Sequence, residues 1–124
     1  MTRINCVPVR ELTRRHLVAE YRELPRIFKL AKAWHDRDGD VSKLPPHYLL
    51  GQGHIRFFYD KLGYLLDRQW ALVGEMQRRG HNPKYDNPDE LIEGIPPELL
   101  GHWEPTSQAM AENRERIRAR LAGY

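Results

Sequence analysis

Ala19-Glu20-Tyr21-Arg22-Glu23-Leu24-Pro25-Arg26 is the stretch that decides the fold. Around it the apolar residues Leu17, Tyr21, Leu24, Phe28 and Ala31 recur at spacings of three and four, the period of a helix with one buried face. At about 100° per residue, Arg15, Arg22, Arg26 and Lys29 fall within roughly 60° of one another on the opposite side. His16 and Glu23, seven residues apart, form a second line beside them. One helix therefore carries a core face, a row of cations and a carboxylate. Pro25 removes a backbone donor in its middle and predicts a kink. A plain solvated face is the competing reading, with Glu23 paired to a neighbouring Arg, an interaction that contributes little at a surface.

Outward from this stretch the chain reads as helices separated by long loops. Residues 1–10 are irregular, with Pro8 blocking an early helix, and the first helix is expected from near Arg10 to about His35. Asp36-Arg37-Asp38-Gly39-Asp40 is a turn-rich break. It has the start of a calcium loop, but Val41 stands where glycine is needed and His47 where a bidentate Glu is needed. After Pro45-Pro46 the longest helical pattern runs over residues 52–79. Ile55, Phe58, Leu62, Leu65, Leu66, Val73 and Met76 line one face, Gly63 is a possible bend, and Gly80 is the stop. Residues 81–105 read as an ordered loop with a helical turn after Pro97. Thr106 or Ser107 caps a last helix. Met110, Ile117 and Leu121 are expected to face inward, and Arg114, Arg116, Arg118 and Arg120 to spread around the rest. No repeat and no convincing strand pattern is found. The predicted fold is all-α: a single domain over residues 1–124, with three main helices packed around one core.

Composition narrows the function classes. The 124 residues suffice for one core, and 40% hydrophobic content with three Trp and six Tyr argues for a folded chain. No apolar run approaches the roughly 18 residues of a membrane span. Met1-Thr2-Arg3-Ile4-Asn5 lacks the apolar core of a signal peptide. The single cysteine, Cys6, excludes an internal disulfide, fits a reducing cytoplasm and reads as a small buried residue. Net charge is +3 but uneven. Residues 1–37 hold nine Lys/Arg against four Asp/Glu, residues 38–112 seven against twelve, and residues 113–124 four against one. Basic ends around an acidic middle suggest a one-sided positive surface, suited to a polyanion. The six histidines do not group at zinc spacing, and there is no P-loop or dinucleotide fingerprint. Neither a metal nor a cofactor is expected.

Three motifs then resemble a known family. Met1-Thr2-Arg3-Ile4-Asn5, Ala19-Glu20-Tyr21-Arg22-Glu23-Leu24-Pro25-Arg26 and Gly51-Gln52-Gly53-His54-Ile55-Arg56-Phe57-Phe58-Tyr59-Asp60-Lys61-Leu62 are similar to the pyrimidine dimer DNA glycosylases of the bacteriophage endonuclease V type. The likeness continues through Arg68-Gln69, Arg78-Arg79-Gly80 and Ile95-Pro96, so it covers about residues 1–101. It implies a bifunctional glycosylase and abasic-site lyase that excises cyclobutane pyrimidine dimers from double-stranded DNA and works as a monomer in the cytoplasm.

The resemblance also assigns roles. The nucleophile is the α-amine of Thr2, exposed when Met1 is removed. An α-amine suits the task because only the neutral form attacks carbon. Near pH 7.4 about a quarter of a group with pKa about 7.7–8.0 is neutral, against about 0.1% of an ordinary lysine. Crowding by Arg3, Arg22 and Arg26 is expected to lower that pKa further. Glu23 matches the catalytic carboxylate. Arg3, His16, Arg22 and Arg26 match residues that hold phosphates, and Arg15, Lys29, Arg114 and Arg118 extend the basic surface. Arg15 departs from the family's usual glutamine. The chain also ends at Leu121-Ala122-Gly123-Tyr124, without the aromatic, Lys-rich tail that engages the dimer in the phage enzyme. Chemistry is therefore carried over further than lesion choice. Two alternatives stay open: the same chemistry on another damaged base or on abasic sites, and a non-catalytic nucleic-acid-binding helical protein.

Overall fold

Pro25 divides the first helical stretch in two. In the computed structural model, which describes residues 3–123, α1 spans Arg14–Glu23 and α2 spans Pro25–Asp36, joined through Leu24. Leu24 keeps helical dihedrals and its N–H still reaches the Glu20 carbonyl, so the junction is the expected kink. Pro25 stands at the first position of α2, where a missing N–H costs nothing. The helix starts at Arg14 and not near Arg10. Thr13 is its N-cap, accepting from the His16 N–H, and Pro8 is followed only by a 3-10 turn at Val9–Glu11.

The long second pattern also starts later than its periodicity suggested. Helix α3 spans Leu62–Arg78, while residues 52–61 form turns and a 3-10 segment at Arg56–Phe58. Gly51 and Gly53 take φ of +91° and +88°, and these left-handed positions turn the chain tightly. At the other end Gly80 does act as the stop. Its N–H bonds the Gln77 carbonyl and that of His81 bonds the Met76 carbonyl, the Schellman pattern. Gly63 is not a bend. A Cβ there would come within 2.7 Å of the Leu100 carbonyl and 2.8 Å of the Gly101 carbonyl. Glycine instead lets residues 100–101 lie against the start of α3, where the Tyr64 N–H bonds the Gly101 carbonyl and the Gly101 N–H bonds that of Asp60.

Residues 81–105 are a loop with 3-10 turns at Pro88–Ile92 and Pro97–Leu99. Helix α4 spans Ser107–Leu121, capped by Thr106. Its inward face is not the expected one. Ala109 and Asn113 are buried, Met110 and Ile117 are only partly covered, and Leu121 is 53% exposed. The helix is turned so that the amide of Asn113 meets the rest of the protein at the centre of this face, beside Ala109 and the partly covered Met110 and Ile117.

Helix α1 packs most closely on α3. Leu17, Leu24, Ile27 and Phe28 meet Phe57, Phe58, Leu62, Leu65, Leu72 and Leu99 in one core. Tyr48, Phe57, Phe58, Tyr64 and Trp103 extend it as an aromatic cluster, with Tyr48 stacked on Trp103 at 5.6 Å. The architecture is all-α, with helices packed on one another and no strand among the described residues. Among those residues no helix is long and apolar enough to cross a membrane.

Candidate active site and nucleic-acid interface

The site begins with a buried polar spine that the apolar pattern concealed. Glu20 lies on the core face of α1, its side chain fully buried, and faces Arg68 of α3. Arg68 donates from Nε to Glu20 Oε2 at 2.7 Å and from Nη2 to Oε1 at 3.1 Å. Its Nη1 donates to the Val7 carbonyl. Burial disfavours the Arg68 cation, but the adjoining carboxylate outweighs this and raises its pKa. Asn5 donates to Glu20 Oε1 at 2.9 Å and accepts from Asn113 Nδ2 at 2.8 Å. Asn113 Oδ1 accepts from the N–H groups of Cys6 and Val7 at 2.8 and 3.2 Å. His54 Nε2 accepts from the Ile4 N–H at 2.8 Å. Residues 4–7 are thus an irregular segment buried without a sheet, with the N–H groups of Ile4, Cys6 and Val7 and the Val7 carbonyl bonded by side chains from three other parts of the chain. Cys6 is buried among them, and burial pushes its thiol up to about 11, as suits a packing residue.

This segment leads into a pocket of about 330 Å³ lined by Arg3, Arg15, His16, Glu23, Arg116 and Arg120, with Asn5 and Glu20 at its back. Three parts of the chain contribute: the N-terminal segment, α1 and α4. Glu23 sits at the last position of α1 and accepts from Arg26 Nη1 at 2.8 Å. Burial, then Arg116 and Arg120, lower the pKa of Arg3. The imidazole of His16 is paired through Nδ1 with Thr13 Oγ1 at 2.9 Å. Burial, then Arg15 and Arg120, lower its pKa from the ordinary 6.5, so at neutral pH it is an uncharged hydrogen-bonding group. Cations from separate elements therefore line one pocket with the Glu23 carboxylate, while the Glu20 carboxylate behind it is held by Arg68. Such a space can hold a polyanion and bring a carboxylate to a reacting centre.

The predicted basic line divides around the helix. Arg15 joins the pocket. Arg22, Arg26 and Lys29 line a neighbouring groove of about 680 Å³, whose other wall carries Lys84 and Tyr85 and whose floor includes Val18, Met76 and Leu91. Tyr85 is 72% exposed, yet its backbone is clamped by the Tyr21 hydroxyl, which accepts from the Tyr85 N–H at 2.9 Å. Arg22 and Arg26 thus line the groove with Lys29, Arg26 also reaching Glu23 at the pocket, while Arg3 lines the pocket itself. On α4, spacing singles out Arg114 and Arg118, but neither lines the pocket. Arg114 makes a bidentate pair with Glu11 at 2.9 and 2.8 Å, and Arg118 pairs with Glu115 at 3.1 Å. Arg116 and Arg120 of the same helix line the pocket. Thr2 lies outside the described residues.

The described residues thus define a helical protein that gathers cations from three chain segments around a carboxylate. The family whose description is pyrimidine dimer DNA glycosylase matches residues 1–89, and the chain belongs to that family. At the level of its class it is a DNA repair glycosylase, an enzyme whose substrate is DNA.

Proposed function

We propose that the protein excises cyclobutane pyrimidine dimers and cleaves the resulting abasic site, with the Thr2 α-amine as nucleophile and Glu23 as catalytic carboxylate. The observation that carries this reading is the pinned N-terminal segment. Residues 4–7 are buried and hydrogen-bonded, and Arg3, one residue from Thr2 along the chain, lines the same pocket as Glu23. The neutral amine attacks C1′ of the damaged nucleotide, and the glycosidic bond breaks as the base leaves. The amine gives up its protons and the sugar ring opens, forming an imine. Removal of a C2′ proton then breaks the C3′–O bond. Glu23 stabilises the cationic sugar and imine and moves these protons.

DNA lies across the pocket and the groove. Arg3, Arg15, Arg116 and Arg120 hold phosphates on one side, and Arg22, Arg26 and Lys29 on the other. His16 contributes a neutral hydrogen bond. Arg114 and Arg118 act at the margin through carboxylate-paired guanidiniums. The protein works as a monomer in the cytoplasm.

Borohydride reduction during turnover tests the mechanism. Protein beginning at Thr2 is expected to become covalently attached to both an irradiated duplex and an abasic duplex, with the sugar mapping to residue 2. Acetylating that amine, or retaining Met1, should abolish trapping and excision together. An extra residue displaces the amine by about 3.8 Å, while productive geometry tolerates only about 1 Å. Attachment at Lys29, Lys32 or Lys61, or full activity with Met1 present, would overturn the assignment. Trapping on the abasic duplex alone would favour abasic sites as the substrate.

A further inference from the structure

An amine at residue 2 must be held still to react, and one side chain sits at the end of the buried segment nearest to it. We propose that His54 is a positioning residue: its neutral imidazole holds the backbone of Ile4 and thereby aims the N-terminal amine into the Glu23 pocket. This rests on the amine mechanism proposed above.

The geometry fixes the tautomer. The turn at Gly51 and Gly53 brings His54 inward, its N–H bonding the Gly51 carbonyl at 3.1 Å. The imidazole is 2% exposed and meets Tyr48 and Phe58 edge-on, with ring centroids 5.7 and 5.6 Å away. Nδ1 lies 2.8 Å from the Leu49 carbonyl, which can only accept. The proton is therefore on Nδ1, and the Nε2 lone pair is the group that receives the Ile4 N–H at 2.8 Å. The bonds that hold residues 5–7 come from Asn113, Glu20 and Arg68, on other elements. Removing the His54 acceptor would thus loosen the end of the segment beside the pocket and leave the remainder anchored.

The same lone pair makes this hydrogen bond sensitive to acid. An imidazolium has no lone pair and would turn a second N–H on Ile4. Burial first, and then Arg3, lower the His54 pKa below its ordinary 6.5, so the bond persists below that value and breaks as pH falls through the lowered one. Among the described residues, the charged or titratable groups facing the ring are Arg3 of the N-terminal segment and Tyr48 of the preceding loop. Neither changes charge at or below neutral pH.

The test uses His54→Phe and His54→Gln in protein beginning at Thr2. Single-turnover borohydride trapping on an abasic duplex gives the rate, and a duplex with a tetrahydrofuran abasic analogue gives the affinity. His54→Phe keeps the ring packing and removes the acceptor. It is expected to slow trapping about tenfold or more with affinity unchanged. Glutamine can accept from Ile4 and donate to Leu49, so His54→Gln should recover most of the rate. On the acid side its rate should fall one order in proton concentration less steeply than that of the wild type. The proposal is overturned if His54→Phe traps at the wild-type rate, if it loses rate and affinity in parallel, or if the His54→Gln profile parallels the wild type. Should His54→Phe not fold, the His54→Gln rate and profile decide. A wild type that is not trapped at all overturns the amine mechanism and this role with it. A trapped wild type with an equally trapped His54→Phe overturns this role alone.

Discussion

Glu20 and Glu23 lie one turn apart on α1 and have opposite fates. Glu23 ends the helix at the pocket mouth, with its side chain 36% exposed beside Arg26. Glu20 is sealed against Arg68 and Asn5. A buried carboxylate is tolerated only where partners satisfy it, and removing one partner strands the other charge. Glu20→Leu is therefore expected to destabilise the fold by about 3–5 kcal/mol, read as the shift in a urea or thermal transition. Glu23→Gln should leave that transition in place and retain DNA binding while losing base excision. An unfolded variant, or one that excises normally, would make Glu23 a structural ion-pair partner only. The sequence held a signal for Glu20 that the apolar pattern passed over. It stands three residues after Leu17 and four before Leu24, on the buried stripe itself. Asn113 stands likewise between Ala109 and Ile117. A polar residue at a stripe position marks either an error in the period or a partnered core group, and only the long-range partner tells which.

At the scale of the elements, periodicity located the helices but misplaced the starts of α1 and α3, while the cap residues placed that of α4. Caps and turns set those starts: Thr13 for α1, Thr106 for α4, and the two positive-φ glycines ahead of α3. The kink at Pro25 was legible because proline's effect is local. The role of Gly63 was not, because what a Cβ would strike is the carbonyl of a segment far along the chain. Gly63→Ala would ordinarily favour a helix by up to about 1 kcal/mol. Here it is expected to destabilise by about 1–3 kcal/mol, because the 100–101 backbone must move. Thermal unfolding beside Gly74→Ala, whose added Cβ meets nothing within 4 Å, gives the comparison. Stabilisation by both substitutions would show that the packed segment yields freely.

Across the whole molecule, charge is arranged by long-range pairing that helix spacing does not reveal. The cations of α1 and α2 were visible as a line, but their division between pocket and groove follows from the kink and from the loop that carries Lys84 and Tyr85. On α4, the guanidiniums that face the pocket are those left after Glu11 and Glu115 have engaged their neighbours. Arg22→Ala, Arg26→Ala and Arg120→Ala are each expected to weaken binding to duplex DNA. Each should also reduce the slope of log affinity against log salt by about 0.9 for every phosphate that is no longer neutralised. A salt-insensitive affinity in the parent protein would remove DNA from this face altogether.

The clasp between Asn113 and the N–H groups of Cys6 and Val7 spans sequence separations of 107 and 106 residues. A growing chain exposes residues 6 and 7 about a hundred residues before it exposes residue 113. That segment therefore stays unclasped until α4 has been made. Once α4 docks, the segment is drawn inside. Burial of this strip of backbone is thus ordered in time by the arrival of a helix made long after it.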